Sequence, residues 1–218
     1  MGELIDMESA RALVSDQVLW PRVRDFLWDF APQVHPSWWP SEDARWPSAA
    51  GRTEFDLPRL KAYLLSQLGV TPCFHAFPKD DWSRLLLLDG TTLESIAKWL
   101  GALACADSLR RVTEGKVVRE LKAALAGVYP EVFGYTAYFR DLAAKAARDA
   151  ESIVVVGLDC LFDFVSRLDE PLRQRFRLKF PKNLCDLSGN EDRETVKPVA
   201  MARLLKLKFP EAYSLCCS

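Results

Sequence analysis

Apolar residues recur every three or four positions along most of the chain, which is the spacing of one face of an α-helix. The pattern predicts helices over residues 4–19, 21–28, 57–68, 79–88, 91–111, 116–127 and 150–168, and two more that begin at Pro171 and Pro198. The helix over 91–111 opens with Thr91-Thr92-Leu93-Glu94, which has the form of a capping box. The sequence therefore predicts an all-α protein, an irregular helical bundle forming a single domain over 1–218, with a possible subdivision into 1–90 and 91–218.

Two segments do not follow this pattern cleanly. Residues 152–159, SIVVVGLD, are rich in β-branched side chains and would suit a buried strand. Val156, Cys160, Phe164 and Leu168 nevertheless continue at steps of four, so a buried helix over 150–168 explains the whole stretch and a strand only its first half. Residues 131–139, EVFGYTAYF, are compatible with either helix or strand.

A stretch near the N-terminus has no period at all. Residues 31–54 contain four prolines and three tryptophans. Exposed tryptophans are costly in water, and we expect these to pack on the helices. The stretch is therefore predicted to be an ordered, Trp/Pro-rich loop rather than a tether.

Composition indicates a soluble globular protein, with 49% apolar and 27% charged residues. The net charge of -1 gives the whole molecule no general attraction to nucleic acid or anionic lipid. Residues 1–56 carry 10 acids and 5 bases, whereas residues 172–208 carry 4 acids and 10 bases. The two ends of the chain could dock charged partners at different places, or they could simply be two solvated faces that differ.

Cysteine usage and the N-terminus indicate the compartment. The six cysteines include no CxxC pair, which suits reduced thiols in the cytoplasm. The first residues carry acids where a secretory signal needs bases, and no run of about 18 apolar residues exists. We expect a cytoplasmic protein that does not insert into a membrane.

Catalytic and ligand-binding motifs are scarce. The chain has neither a phosphate-binding loop nor a dinucleotide fingerprint. Cys73 and His75 could share a metal, but only His35 remains as a further histidine, which is too few for a closed zinc site. Asp159 and Asp163 lie one helical turn apart and could form a buried polar site or mark the wet side of a helix. We predict no cofactor and no enzymatic activity.

A basic pentapeptide occurs twice near the C-terminus, as RLKFP at 177–181 and KLKFP at 206–210. Each copy follows a segment that opens with a proline, and the final proline of each favours the end of a helix. The pair could be a repeat, a nucleic-acid-binding stripe or two helix ends that meet a partner. The bases of this region that could touch phosphates are Arg173, Arg175, Arg177, Lys179, Lys182, Arg203, Lys206 and Lys208.

Three stretches resemble the YscK-like (SctK) family, the accessory adaptor of the bacterial type III secretion sorting platform. The first is LGALACADSLRR at 100–111, a helix entered by Leu-Gly and left by two arginines, Arg110 and Arg111. The second is WDFAPQVHPSWWP at 28–40, and the third is the pair of basic helices near the C-terminus. The resemblance covers most of the chain from about residue 26, in patches.

The resemblance implies a mostly helical, non-enzymatic cytoplasmic protein without nucleic-acid binding. Such a protein sits between the inner-membrane ring (SctD type) and the pod subunit (SctQ type), and through the pods it reaches the stator (SctL type) and the ATPase (SctN type). On this hypothesis Arg110 and Arg111 are partner-binding residues, and Arg177, Lys179, Lys206 and Lys208 face an acidic partner. The competing hypotheses are a helical nucleic-acid-binding protein that uses the basic C-terminal region, and a helical enzyme.

Overall fold

The computed structural model describes residues 17–40, 56–71, 77, 81–142, 144–147, 149–188 and 196–217. The α-helices within them are α1 Leu19–Leu27, α2 Leu57–Gln67, α3 Gly90–Ala104, α4 Ala106–Arg110, α5 Gly115–Ala124, α6 Ala150–Phe164, α7 Glu170–Arg177, α8 Lys182–Leu187, α9 Pro198–Lys208 and α10 Pro210–Cys216. Short 3-10 helices lie at Ala31–Gln33, Pro36–Trp38, Asp81–Leu87, Glu131–Gly134 and Thr136–Tyr138.

The all-α prediction is confirmed for the described part of the chain, which holds no strand. Residues 152–159 belong to α6, so the helix predicted from apolar residues at steps of four is confirmed, and the strand suggested by the β-branched residues is not formed. The ambiguous residues 131–139 form two 3-10 helices, in which Val132 is buried. The predicted helix over 4–19 lies mostly outside the described residues, and so does the part of the Trp/Pro-rich loop beyond residue 40.

The predicted helix over 91–111 is corrected in two respects. It begins at Gly90, and its cap is Asp89, whose carboxylate accepts a hydrogen bond from the backbone N–H of Thr92 at 2.8 Å. An aspartate just before the first turn can satisfy this donor as well as a threonine can, and here the aspartate does so. The helix also breaks at Cys105, where the carbonyl of Ala104 accepts a hydrogen bond from the N–H of Lys145 at 2.9 Å.

The centre of the fold is the crossing of α3 and α6. A Cβ atom at Gly101 would lie 1.9 Å from the carbonyl oxygen of Ile153, and one at Gly157 would lie 1.8 Å from that of Ala97. Glycine inside a helix costs about 1 kcal/mol relative to alanine, but it lets two backbones approach where no other residue fits. The two glycines therefore set the distance between the central helices.

The described residues form two apolar clusters, and the larger one contains this crossing. The larger contains buried side chains of α1, α3, α6, α7, α9 and α10, together with the 3-10 helix Asp81–Leu87. The smaller joins Phe30, Val34, Leu60, Leu64 and Leu178, and Trp38 and Trp39 pack at its edge. The described part of the Trp/Pro-rich loop is thus held by α2 and by the end of α7, as expected for tryptophans that pack on helices.

Candidate partner-binding surfaces

Lys179, the central residue of RLKFP, lies inside the protein. It is only 4% exposed, and its Nζ donates hydrogen bonds to the backbone carbonyls of Leu86 at 2.6 Å and Leu88 at 2.7 Å. Its Nζ also lies 5.1 Å from the centre of the Phe26 ring. The prediction that Lys179 faces an acidic partner is therefore wrong. The physical reason is that free carbonyls at the end of the helix Asp81–Leu87 attract a cation, and the turn after α7 places Lys179 beside them.

Burial has a large effect on the charge of this lysine. Removal from water lowers the pKa of Lys179 to about 7, although the nearby carboxylate of Asp89 acts in the opposite direction. The ammonium group is hydrogen-bonded, yet it is stripped of bulk solvent. The protonation state of Lys179 therefore changes near neutral pH.

Arg175 occupies a similar position one turn earlier. This buried side chain donates hydrogen bonds to the carbonyls of Leu27 at 3.2 Å, Thr71 at 3.0 Å and Pro171 at 2.8 Å, and its guanidinium lies 4.9 Å from the centre of the Phe30 ring. It therefore binds the C-terminal end of α1 and cannot reach a phosphate.

A sequence signal for these two buried cations did exist. Arg175 and Lys179 share the spacing i, i+3, i+4, i+7 with Leu172 and Phe176. Arg175 therefore belongs to the apolar stripe of α7, and Lys179 continues this spacing two residues beyond the end of the helix. Because the two residues are charged, they are predicted from the sequence to lie on the surface instead. A basic residue within an apolar stripe is thus a candidate for binding helix-end carbonyls.

The HPSW segment docks directly on the RLKFP turn. The N–H of His35 donates to the carbonyl of Leu178 at 2.8 Å, and the Nε1 of Trp38 donates to that of Phe180 at 2.8 Å. The hydroxyl of Ser37 accepts a hydrogen bond from the N–H of Lys182 at 2.8 Å. Two stretches far apart in the sequence therefore form one structural unit.

Arg177, the first residue of RLKFP, lies on the surface. Its side chain is half exposed, donates to the carbonyl of Cys185 at 2.8 Å and approaches Asp186 at 3.5 Å. An exposed ion pair of this kind contributes little to stability, so the guanidinium can exchange Asp186 for another carboxylate.

The second pentapeptide divides in the same way. Lys208 forms an ion pair with Glu131, and its Nζ lies 4.0 Å from the centre of the Tyr135 ring and 4.5 Å from that of Trp99. These contacts cover most of its side chain, and Glu131 compensates its charge, whereas the binding of a partner by Lys208 stays a prediction. Lys206 is exposed and makes no ion pair within the described residues. In both copies the first base points outward and the second packs on aromatic rings.

The two arginines after α3 have different environments. Arg110 donates to the hydroxyl of Thr136 at 2.6 Å and to Asp107 at 3.2 Å, which ties the end of α4 to the helix Thr136–Tyr138. It also lines a cavity of about 430 Å³ together with Arg140. Arg111 is exposed and, among the described residues, has no ion-pair partner. Of this pair, Arg111 is the freer to meet another protein.

A wider groove of about 580 Å³ lies along α6, α7 and α8. Its wall contains Asp159, the ion pair of Arg173 with Glu170, and Arg177. Asp163 is half-buried, and its Oδ2 has no hydrogen-bond partner in the described part of the protein. The two aspartates therefore differ in position, because Asp159 borders the groove whereas Asp163 does not line it and has a covered Oδ2 atom.

The described residues offer little for metal or thiol chemistry. They contain no group of three His, Cys, Asp or Glu side chains that could hold a metal ion. His35 accepts a hydrogen bond from the N–H of Ser37 at 3.2 Å, and Cys73 and His75 lie outside the described residues. Burial raises the pKa of Cys105 to about 11, of Cys160 to about 12 and of Cys185 to about 11. These three thiols stay protonated at neutral pH and are poor nucleophiles.

None of the described helices combines the length and the apolar character that crossing a bilayer requires. Comparison with models of known protein families, with characterised proteins and with solved structures found no match to this chain. Among the predicted partner-binding residues, the geometry leaves Arg111, Arg177 and Lys206 exposed, and these are the basis for a proposed function.

Proposed function

We propose that this protein is a non-enzymatic cytoplasmic adaptor of a type III secretion sorting platform, similar to the YscK-like (SctK) family. It links the SctD-type inner-membrane ring to the SctQ-type pod subunit, and through the pod to the SctL-type stator and the SctN-type ATPase. It reaches the cytoplasmic face of the inner membrane through these partners. The observation that carries this proposal is that stretches bearing the resemblance are structurally connected.

The connection involves residues of the resemblance directly. The HPSW segment docks on RLKFP through the hydrogen bonds of His35, Ser37 and Trp38. Leu100 is fully buried, and Gly101 beside it contacts α6 at the central crossing. Two of the stretches that carry the resemblance therefore contact each other directly, and the third lies at the central crossing. Their joint position supports a common architecture.

The distribution of bases supports binding of proteins rather than nucleic acid. Arg175 and Lys179 are buried, and Lys208 is packed between Glu131 and aromatic rings. The basic C-terminal region thus has fewer free cations than its sequence suggests. Since affinity for a phosphate backbone grows with the number of neutralised phosphates, this loss weakens the nucleic-acid hypothesis.

Co-purification tests the proposal. The full chain is co-expressed with a tagged SctQ-type pod subunit or a tagged SctD-type cytoplasmic domain, and recovery is measured at physiological salt. We expect recovery with at least one of them. Arg111→Glu and Arg177→Glu should reduce recovery, whereas Lys122→Glu, the same change at an exposed lysine of α5, should leave it unchanged. Retention of the wild-type chain on duplex DNA, with recovery of neither subunit, would contradict the proposal.

A further inference from the structure

The outward side of α9 exposes large aliphatic residues. Ala200, Met201, Leu204 and Leu205 face the core, whereas Val199 is 64% and Leu207 46% exposed. Val199, Arg203, Lys206 and Leu207 follow the spacing i, i+4, i+7, i+8, so they share one side of the helix. We call this side, from Val199 to Leu207, the α9 face.

A third apolar side chain adjoins the α9 face. Tyr138 is 58% exposed, and its backbone carbonyl accepts a hydrogen bond from the guanidinium of Arg203. Arg203 lies between Val199 and Leu207 on the helix, so the tyrosine extends the apolar surface sideways. Grouped exposed apolar residues with a polar margin are typical of a protein-binding site.

The charged residues of α9 and its flanks are all basic. Residues 196–210 contain four bases and no acid. The charge of Arg203 is compensated by Asp141 at 3.8 Å, and the charge of Lys208 is compensated by Glu131. Both carboxylates lie outside α9. Lys197 and Lys206 are exposed, and no carboxylate of the described residues pairs with either. Positive charge therefore flanks the aliphatic residues on both sides.

We propose that the α9 face binds an amphipathic helix of a partner protein, with aliphatic residues against Val199, Leu207 and Tyr138 and with Glu or Asp against Lys197 and Lys206. Because α9 has 11 residues and is about 16 Å long, roughly three turns of a partner helix cover it. The apolar contacts supply affinity, and the charges select and orient the acidic helix.

Two other occupants fit less well. A second copy of this chain would place like charges opposite one another, because the face carries only bases. Nucleic acid would neutralise the lysines but would leave Val199 and Leu207 without an apolar partner. The identity of the partner, the SctQ-type or SctD-type protein, rests on the proposed function, whereas the chemistry of the face does not.

Site-specific cross-linking tests the location. A photo-reactive phenylalanine analogue replaces Val199 or Leu207 in the full chain, co-expressed with the SctQ-type subunit or the SctD-type domain. The matched control is the same replacement at Leu187, which is 60% exposed on α8. We expect cross-links from 199 and 207, but not from 187, to a partner segment with helical apolar spacing and flanking acids. Cross-links between two copies of this chain would overturn the proposal.

Binding of designed peptides tests the chemistry without those partners. One 18-residue peptide carries Leu at helical spacing with Glu elsewhere, and a second replaces every Glu by Lys. Binding is measured by fluorescence anisotropy at about 150 mM salt, where the Debye length is about 8 Å and charges in close contact still attract each other. We expect the Glu peptide to bind at least tenfold more tightly than the Lys peptide. Val199→Ser with Leu207→Ser, or Lys206→Glu, should each weaken that binding about tenfold, and Leu187→Ser should not.

The outcomes separate this inference from the proposed function. If the chain recovers neither subunit but binds the Glu peptide at the α9 face, the function is wrong and the surface stands. If the Val199→Ser, Leu207→Ser variant still recovers a subunit and the wild type binds both peptides equally, the surface is wrong and the function stands. Circular dichroism of each variant verifies that it is folded, and competition of duplex DNA with the Glu peptide would also overturn the inference.

Discussion

Replacing Lys179 by Met tests whether a buried lysine holds the RLKFP turn in place. The change removes two hydrogen bonds, to the carbonyls of Leu86 and Leu88, and keeps an unbranched side chain of similar length. At high pH, where the contribution of Lys179 is fully present, loss of this buried hydrogen-bonding partner should cost about 1–3 kcal/mol. Lys206→Met is the matched control, because that lysine is exposed and its loss should change the free energy of unfolding by less than about 0.5 kcal/mol.

The pH dependence of this difference is the more specific signature. The pKa of Lys179 is about 7 in the folded protein and 10.5 in the unfolded chain, so between these values the unfolded chain binds more protons. The stability that Lys179 contributes to the folded protein is therefore fully present above pH 10.5 and is lost as the pH falls through 7. The slope reaches about 1.4 kcal/mol per pH unit, and from pH 7 to pH 9 the wild type should gain about 2 kcal/mol over Lys179→Met.

Urea denaturation followed by tryptophan fluorescence at pH 7, 8 and 9 measures this gain. Cys105, Cys160 and Cys185 have raised pKa values in the folded state and reduce stability near pH 9, but they do so equally in both proteins. The difference between wild type and Lys179→Met therefore isolates the lysine. A difference that stays constant with pH would refute the placement of Lys179 in a desolvated site.

Two further predictions concern the central helices. Gly101→Ala places a Cβ 1.9 Å from the carbonyl oxygen of Ile153, so α3 and α6 must separate, and we expect a loss of about 3 kcal/mol or more in urea denaturation. Gly115→Ala is the control, since the nearest neighbour of its Cβ would be a flexible side-chain atom at 3.7 Å. This control change should be neutral or slightly stabilising. Equal losses of stability at Gly101 and Gly115 would contradict the close crossing. Asp89→Ala removes the cap of α3 and should cost about 0.5–2 kcal/mol at pH 7. Burial raises the pKa of Asp89, but hydrogen bonds from Thr91 and Thr92 outweigh this effect and lower the pKa from 3.8 to about 2. The greater stability of the wild type over Asp89→Ala is therefore present above pH 3.8 and is lost as the pH falls through 2. A stability difference that is unchanged at pH 2 would argue against the cap.

Much of the candidate surface could be read from sequence, but its individual residues could not. RLKFP and KLKFP were identified as ends of basic helices, and α7 and α9 do end there. Which base of each pentapeptide points outward depends on what packs beside the helix. Arg177 and Lys206 reach solvent, whereas Lys179 meets free carbonyls and Lys208 meets Glu131 and two aromatic rings. These neighbours come from distant parts of the chain.

Local sequence patterns suffice to predict that the described part of the chain is helical, because a period of about 3.6 in apolar residues is a local property and outweighs even the β-branched run in α6. They also place most helix ends, since prolines and caps act within one turn. Contacts between distant segments determine where α3 breaks, why Gly101 and Gly157 are glycines, and which cations are buried. Each of these depends on an atom of another helix, the carbonyls of Ile153, Ala97 and Leu86 among them, and no local pattern contains that information.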